Sequence, residues 1–120
     1  TFELNHKFLF IMDNLRLNQL IEYLENDPKD SFLTFAVAKE YETANQLDKA
    51  LKYYLQLKAN DPEYIGLYYH LAKLYEMIQE ERLALQIYED GLELAKKLKD
   101  FHALSELNNA KMNLELSLDN

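Results

Sequence analysis

The 120-residue chain contains no cysteine, which removes disulfide frameworks, thiolate catalysis and Cys-ligated zinc or iron–sulfur sites together. A reducing compartment fits that absence, and a cytoplasmic location is the expectation. Glycine and proline number two each, too little punctuation for the many tight turns of a sandwich or barrel. The longest apolar run, Phe8-Leu9-Phe10-Ile11-Met12, is far short of the roughly 20 residues that cross a bilayer. Only Lys7, beside His6, precedes it, and no small-residue cleavage site follows, so neither a secretory leader nor a membrane partner is expected. Positive charge is also scarce. With 13 Lys plus Arg against 21 Asp plus Glu, the net charge is −8, which repels phosphate backbones and anionic headgroups. Nucleic acid is therefore not an expected partner. What is present, 48% hydrophobic and 28% charged residues, is the composition of a folded globular domain.

Sliding the sequence against itself exposes a period of 34. Over Ser31–Pro62 against Ile65–Lys96, eight of 32 positions are identical: Leu33/Leu67, Ala38/Ala72, Lys39/Lys73, Tyr41/Tyr75, Glu42/Glu76, Ala50/Ala84, Leu51/Leu85 and Tyr54/Tyr88. Asp27-Pro28 and Asp61-Pro62 share the spacing and are read as helix-start signals. Within a period, Leu33, Val37, Ala38 and Tyr41 form one helical stripe, and Leu47, Ala50, Leu51, Tyr54 and Leu57 a second. Only Thr43-Ala44-Asn45-Gln46, or Met77-Ile78-Gln79-Glu80, separates them, so the helices of a period are antiparallel neighbours.

The pattern resembles the tetratricopeptide repeat, an aromatic-x2-Leu-Gly-x2-Tyr, Ala-x3-Phe, Pro signature. The first repeat reads Thr34-x2-Val37-Ala38-x2-Tyr41, Ala50-x3-Tyr54, Pro62, and the second Tyr68-x2-Leu71-Ala72-x2-Tyr75, Ala84-x3-Tyr88. Thr34 departs from the aromatic. Lys96 replaces the closing Pro, which predicts one long helix from near Leu83 through Leu98. The resemblance implies an all-α fold of antiparallel helix-pair repeats, stacked as a short right-handed superhelical solenoid of at most six helices. Repeats are expected near 31–64 and 65–98 within a domain spanning 13–116. Phe101–Leu116, amphipathic through Leu104, Leu107, Ala110, Met112 and Leu114, is expected to be a capping helix, with 117–120 frayed. Asp13–Asn26 reads as the second helix of a preceding repeat, closed by its own Asp27-Pro28. Residues 1–12 have two readings. As a helix, Thr1–Ile11 pairs with Asp13–Asn26; as an extension, it lies upstream of a start at Met12. An ordered arm must bury Phe2, Leu4, Phe8, Leu9, Phe10 and Ile11, and a second subunit would do so, giving a homodimer through Thr1–Ile11.

Catalytic chemistry has little to stand on. The histidines are His6, His70 and His102, with no triad around them. His102 and Glu106, four apart, are too few for a zinc site, and Glu80-Glu81 and Glu40/Glu42 read as solvated carboxylates. Gly66 and Gly91 stand alone, without the run that cradles a phosphate. Gly91, inside a helix, marks close helix approach. No enzyme, metal or cofactor is expected.

What remains is the other face of each first helix. In tetratricopeptide proteins it lines a concave groove, and the resemblance implies binding of another protein or peptide there. The candidate groove residues are Phe32, Phe35, Lys39, Glu42, Tyr69, His70, Lys73, Glu76 and Met77. Apolar Phe32, Phe35, Tyr69 and Met77 would anchor and Lys39, Lys73 and His70 would donate. The alternative is a self-associating structural module. The family's clamp for chaperone C-terminal carboxylates is not supported: Phe35 stands where it wants Lys, and Lys39 and His70 where it wants Asn.

Overall fold

The structure is a computed structural model that describes residues 1–119, the side chains of Phe2, Phe10 and Asp13 excepted. The described residues form six helices and no strand: α1 (Phe2–Asn26), α2 (Ser31–Thr43), α3 (Leu47–Asn60), α4 (Gly66–Met77), α5 (Glu81–Leu98) and α6 (Phe101–Leu118). They divide into two compact units, Thr1–Asn60 and the half that begins at Asp61.

In the first unit, α2 and α3 form an antiparallel pair. Val37, Ala38 and Thr34 of α2 and Ala50, Tyr54 and Leu57 of α3 are buried. Leu33 and Tyr41 are half-buried, and they join Leu17, Leu20, Ile21 and Leu24 of α1 in a cluster around Val37. In the second unit, α4 buries Leu67, Tyr68, Leu71, Ala72, Leu74 and Tyr75, and α5 buries Ala84, Ile87, Tyr88, Gly91, Leu94 and Ala95. The helix α6 lies along both through Leu107, Ala110 and Leu114.

Asp27-Pro28 closes the helix that ends at Asn26, as expected, but neither Asp-Pro pair caps the start of a helix, a correction to the helix-start reading. Asp27 is the C-cap of α1, and α3 ends at Asn60, one residue before Asp61. The physical reason is the steric bar that proline sets on a helical residue before it. The start of α2 is capped instead by Asp30, whose Oδ1 accepts from Leu33 N at 2.8 Å. Asp100 does the same for Ala103 N at 3.0 Å, whereas Ile65 precedes α4 without a side-chain cap.

The turns that join α2 to α3, α4 to α5 and α5 to α6 are built alike. Asn45 (φ 59°), Gln79 (φ 64°) and Lys99 (φ 57°) are left-handed. The amide that follows each reaches back to a carbonyl five residues before it: Gln46 to Tyr41, Glu80 to Tyr75 and Asp100 to Ala95. This is a Schellman closure with no glycine in it.

Residues 1–12 also depart from expectation. They do not fold back as a helix against 13–26, because α1 runs unbroken from Phe2 to Asn26. No glycine or proline stands between Ile11 and Asn14 to interrupt propagation. Its side chains Leu4, Phe8, Leu9 and Ile11 are exposed rather than buried within the chain; Phe2 and Phe10, in the same expectation, lie outside the described side chains. At the other end α6 takes in Ser117 and Leu118, two residues beyond the expected 116, with the Ser117 hydroxyl donating to Leu114 O at 2.7 Å. Of the expected frayed stretch, Asn120 lies outside the described residues. Met112 faces solvent rather than the core, since it lies off the Leu107/Ala110/Leu114 stripe.

Candidate functional site

The face of α2 opposite its core stripe carries Phe32, Phe35, Lys39 and Glu42, at spacings of three, four and three that keep them on one side of the helix. The Lys39 ammonium lies 6.0 Å from the Phe35 ring centroid, a cation–π distance. Phe35 in turn meets Tyr54 of α3 edge-on, with centroids 6.2 Å apart. The Tyr54 hydroxyl donates to Glu42 Oε1 at 2.7 Å. Burial first, then the bond to the Glu42 carboxylate and its charge, push that hydroxyl far above the usual phenol range. Phe32 is open to solvent on the same side.

In the second unit the arrangement recurs, 34 residues on. Lys73 lies 5.9 Å from the Tyr69 centroid, and the Tyr88 hydroxyl donates to Glu76 Oε2. Burial, then the same kind of bond, raises the Tyr88 hydroxyl as it does Tyr54. Lys73 Nζ also approaches Glu76 Oε2 at 3.9 Å. His70 sits beside this face, its ring 5.5 Å from that of Tyr69 and nearly perpendicular to it. Met77 closes the helix and is exposed.

Each unit therefore presents an aromatic ring, a lysine above it, and a glutamate whose orientation is set by a buried tyrosine of the second helix. Tyr54 and Tyr88 count as core in the sequence, and their rings are fully buried. The position of the hydroxyl was not visible in spacing, because the bond crosses from one helix to the next. The chain identities Glu42/Glu76 and Tyr54/Tyr88 were the only available signal.

A second feature outside the sequence-derived set lies in the second unit. A cleft of about 170 Å³ opens between the start of α4 and α6, lined by Ile65, Gly66, Tyr69, Asp100, His102, Ala103, Glu106 and Leu107. Gly66 stands where the first repeat has Phe32, and the missing side chain helps leave this space. The helix α6, expected to be only a cap, thus contributes polar groups beside Tyr69. Among the described residues no group of three or more His, Asp or Glu could hold a metal ion, and no helix is long and apolar enough to cross a membrane.

Antiparallel helix pairs repeating every 34 residues, with matched polar and aromatic groups on each first helix, define a helical-repeat protein. No family model matches the chain, and no curated protein does. Solved structures do. A tetratricopeptide repeat domain protein from Salinibacter ruber is 37% identical over 72% of this chain and 96% of its own, with a TM-score of 0.69. The chain belongs to the tetratricopeptide repeat family. The translocator chaperone SycD of Yersinia enterocolitica shares the fold at 14% identity, with a TM-score of 0.83 over 96% of this chain and 80% of its own. So does the TPR2B domain of yeast Sti1, in its complex with pHsp70, at 12% identity, with a TM-score of 0.81 over 94% of this chain and 90% of its own.

Proposed function

We propose that this chain is a non-catalytic protein-interaction module that binds a peptide or partner helix in the concave groove its family presents. The observation that carries the reading is the repetition of one set of contacts: Lys39 over Phe35 with Tyr54 on Glu42, and Lys73 over Tyr69 with Tyr88 on Glu76. A helix face that served only solubility would not need a half-exposed aromatic at the same place in both repeats, or a buried hydroxyl to aim its glutamate. Neighbours of the same fold engage other proteins, the Sti1 domain with pHsp70 and SycD as a translocator chaperone. The departures at Phe35, Lys39 and His70 from the carboxylate clamp direct this groove toward a different ligand.

The test is a random 12-residue peptide library displayed on phage and selected on the full chain, followed by titration of the selected peptide. Phe35→Ala with Tyr69→Ala should weaken that peptide by at least about 100-fold, the scale of losing two aromatic anchors, with helicity and melting nearly unchanged. Binding that survives the double substitution would place the ligand elsewhere. Loss of helicity would show that these rings belong to the core.

A further inference from the structure

The helix α1 carries two apolar faces, and only one is used inside the chain. Its second half turns Leu17, Leu20, Ile21 and Leu24 toward α2. In its first half, Leu4, Phe8, Ile11 and Leu15 recur at intervals of four, three and four, the heptad spacing of a coiled-coil seam. At 3.6 residues per turn this seam lies roughly opposite the face that meets α2, so no extension of the intramolecular packing can cover it. The exposures agree: Leu4 66%, Phe8 63%, Ile11 55% and Leu15 58%, with Met12 beside them at 49%.

We infer that this seam is a homotypic interface, on which α1 of a second copy of the chain lies antiparallel. The 3.5-residue spacing fits a helix as occupant, because it keeps one stripe facing a partner along several turns. Antiparallel pairing sets Leu4 against Leu15 and Phe8 against Ile11, so each side chain meets another of the same stripe. With on the order of 100 Å² exposed on each of the five apolar side chains and their flanks added, two seams cover about 1,200 Å², the lower bound of a stable interface.

Charge permits this pairing and selects its direction. A chain of net charge −8 resists self-association over most of its surface, yet the seam is flanked by Asn5, Lys7, Met12 and Asn14, which set no like charges against each other. A parallel pair would bring the packed parts of two acidic chains side by side. In the antiparallel pair the regions that start at Leu17 begin about 15 residues apart along the axis, roughly 22 Å, which is more than two Debye lengths in physiological salt. This inference stands on α1 alone and is independent of the groove.

Light scattering on the full chain across a hundredfold concentration range, together with circular dichroism, tests it. The expected result is a mass of twice 14.2 kDa at the upper concentrations. Phe8→Glu with Ile11→Glu should raise the dimer dissociation constant by at least about 100-fold at unchanged helicity, while Leu9→Glu, off the seam, should leave it in place. Because the chain has no cysteine, orientation is read directly: a mixture of the Leu4→Cys and Leu15→Cys chains should cross-link, and neither alone should do so efficiently. A chain that is monomeric throughout overturns the inference and leaves the seam to a helix of another protein or of a longer chain. A dimer that survives the double glutamate substitution, or in which Leu4→Cys links to itself, also overturns it.

Discussion

The two repeats solve one packing problem in opposite ways. In the first unit, α2 contributes Thr34 and α3 contributes Leu57, both buried. At the same places 34 residues later stand Tyr68 on α4 and Gly91 on α5. The second pair is so close that a Cβ built on Gly91 would lie 2.7 Å from Tyr68 Cβ and 3.0 Å from Leu107 Cδ1. Small with large has become large with small. Side-chain bulk is thus traded between the two places from one repeat to the next, the trade expected where two helices fill one close-packed space. Tyr68 also spends its hydroxyl usefully, donating to Pro62 O, a bond Thr34 cannot reach from its own place on Asp30 O.

Breaking that exchange gives the largest expected effect. Gly91→Leu should destabilise the chain by about 3 kcal/mol, the upper end of the usual overpacking cost. Tyr68→Thr combined with Gly91→Leu, which copies the first unit, should recover most of that loss in chemical denaturation. A double variant as unstable as the single one would show that the two positions do not share a volume.

The hydroxyl bonds test whether the units are alike where their sequences agree. Tyr54→Phe and Tyr88→Phe should each cost about 1–2 kcal/mol, since a charged acceptor loses its donor, and by similar amounts in the two units. Both hydroxyls are held above their ordinary value of 10.0. The folded chain thus binds those protons more tightly than the unfolded one, and the associated stability is complete below pH 10 and is lost as the pH climbs toward the raised values. Urea midpoints from pH 8 to 12 should fall less steeply in the Tyr54→Phe, Tyr88→Phe double variant than in the parent.

The smallest effect concerns the turns. Gln79→Gly and Lys99→Gly should each stabilise by about 0.5–1 kcal/mol, because a left-handed backbone costs a side-chain-bearing residue what glycine does not lose. Asn45→Gly should gain less, as asparagine tolerates that conformation. Thermal melts of the three variants rank them, and an equal gain at Asn45 would refute the distinction.

Much of the fold was legible beforehand. The 34-residue shift located α2 to α5 and their order. The missing proline at Lys96 foretold that α5 would reach Leu98, and Gly91 inside a helical stripe marked a close helix approach, whose partner the structure shows to be Tyr68. The candidate site was legible only in part. Phe35, Lys39 and Glu42 do share one face of α2, and Tyr69, Lys73 and Glu76 one face of α4, but the role of Tyr54 and Tyr88 was hidden because a tyrosine on an apolar stripe reads as core whether or not its hydroxyl is engaged. The contribution of His102 and Glu106 to the cleft beside Tyr69 was hidden for a related reason: spacing places residues on a helix face without saying what lies opposite.

By itself, then, the sequence determined the period, the helix pairs, the family and the face of each first helix that its core does not claim. These are properties of a single chain coordinate, since burial stripes repeat at 3.6 residues and breakers act on their immediate neighbours. The tertiary structure decided the close contact of Gly91 with Tyr68, the aiming of Glu42 and Glu76, and the turning of Leu4, Phe8, Ile11 and Leu15 away from α2. Each of these depends on which side chain stands across a gap, and that neighbour becomes defined only when the helices have met.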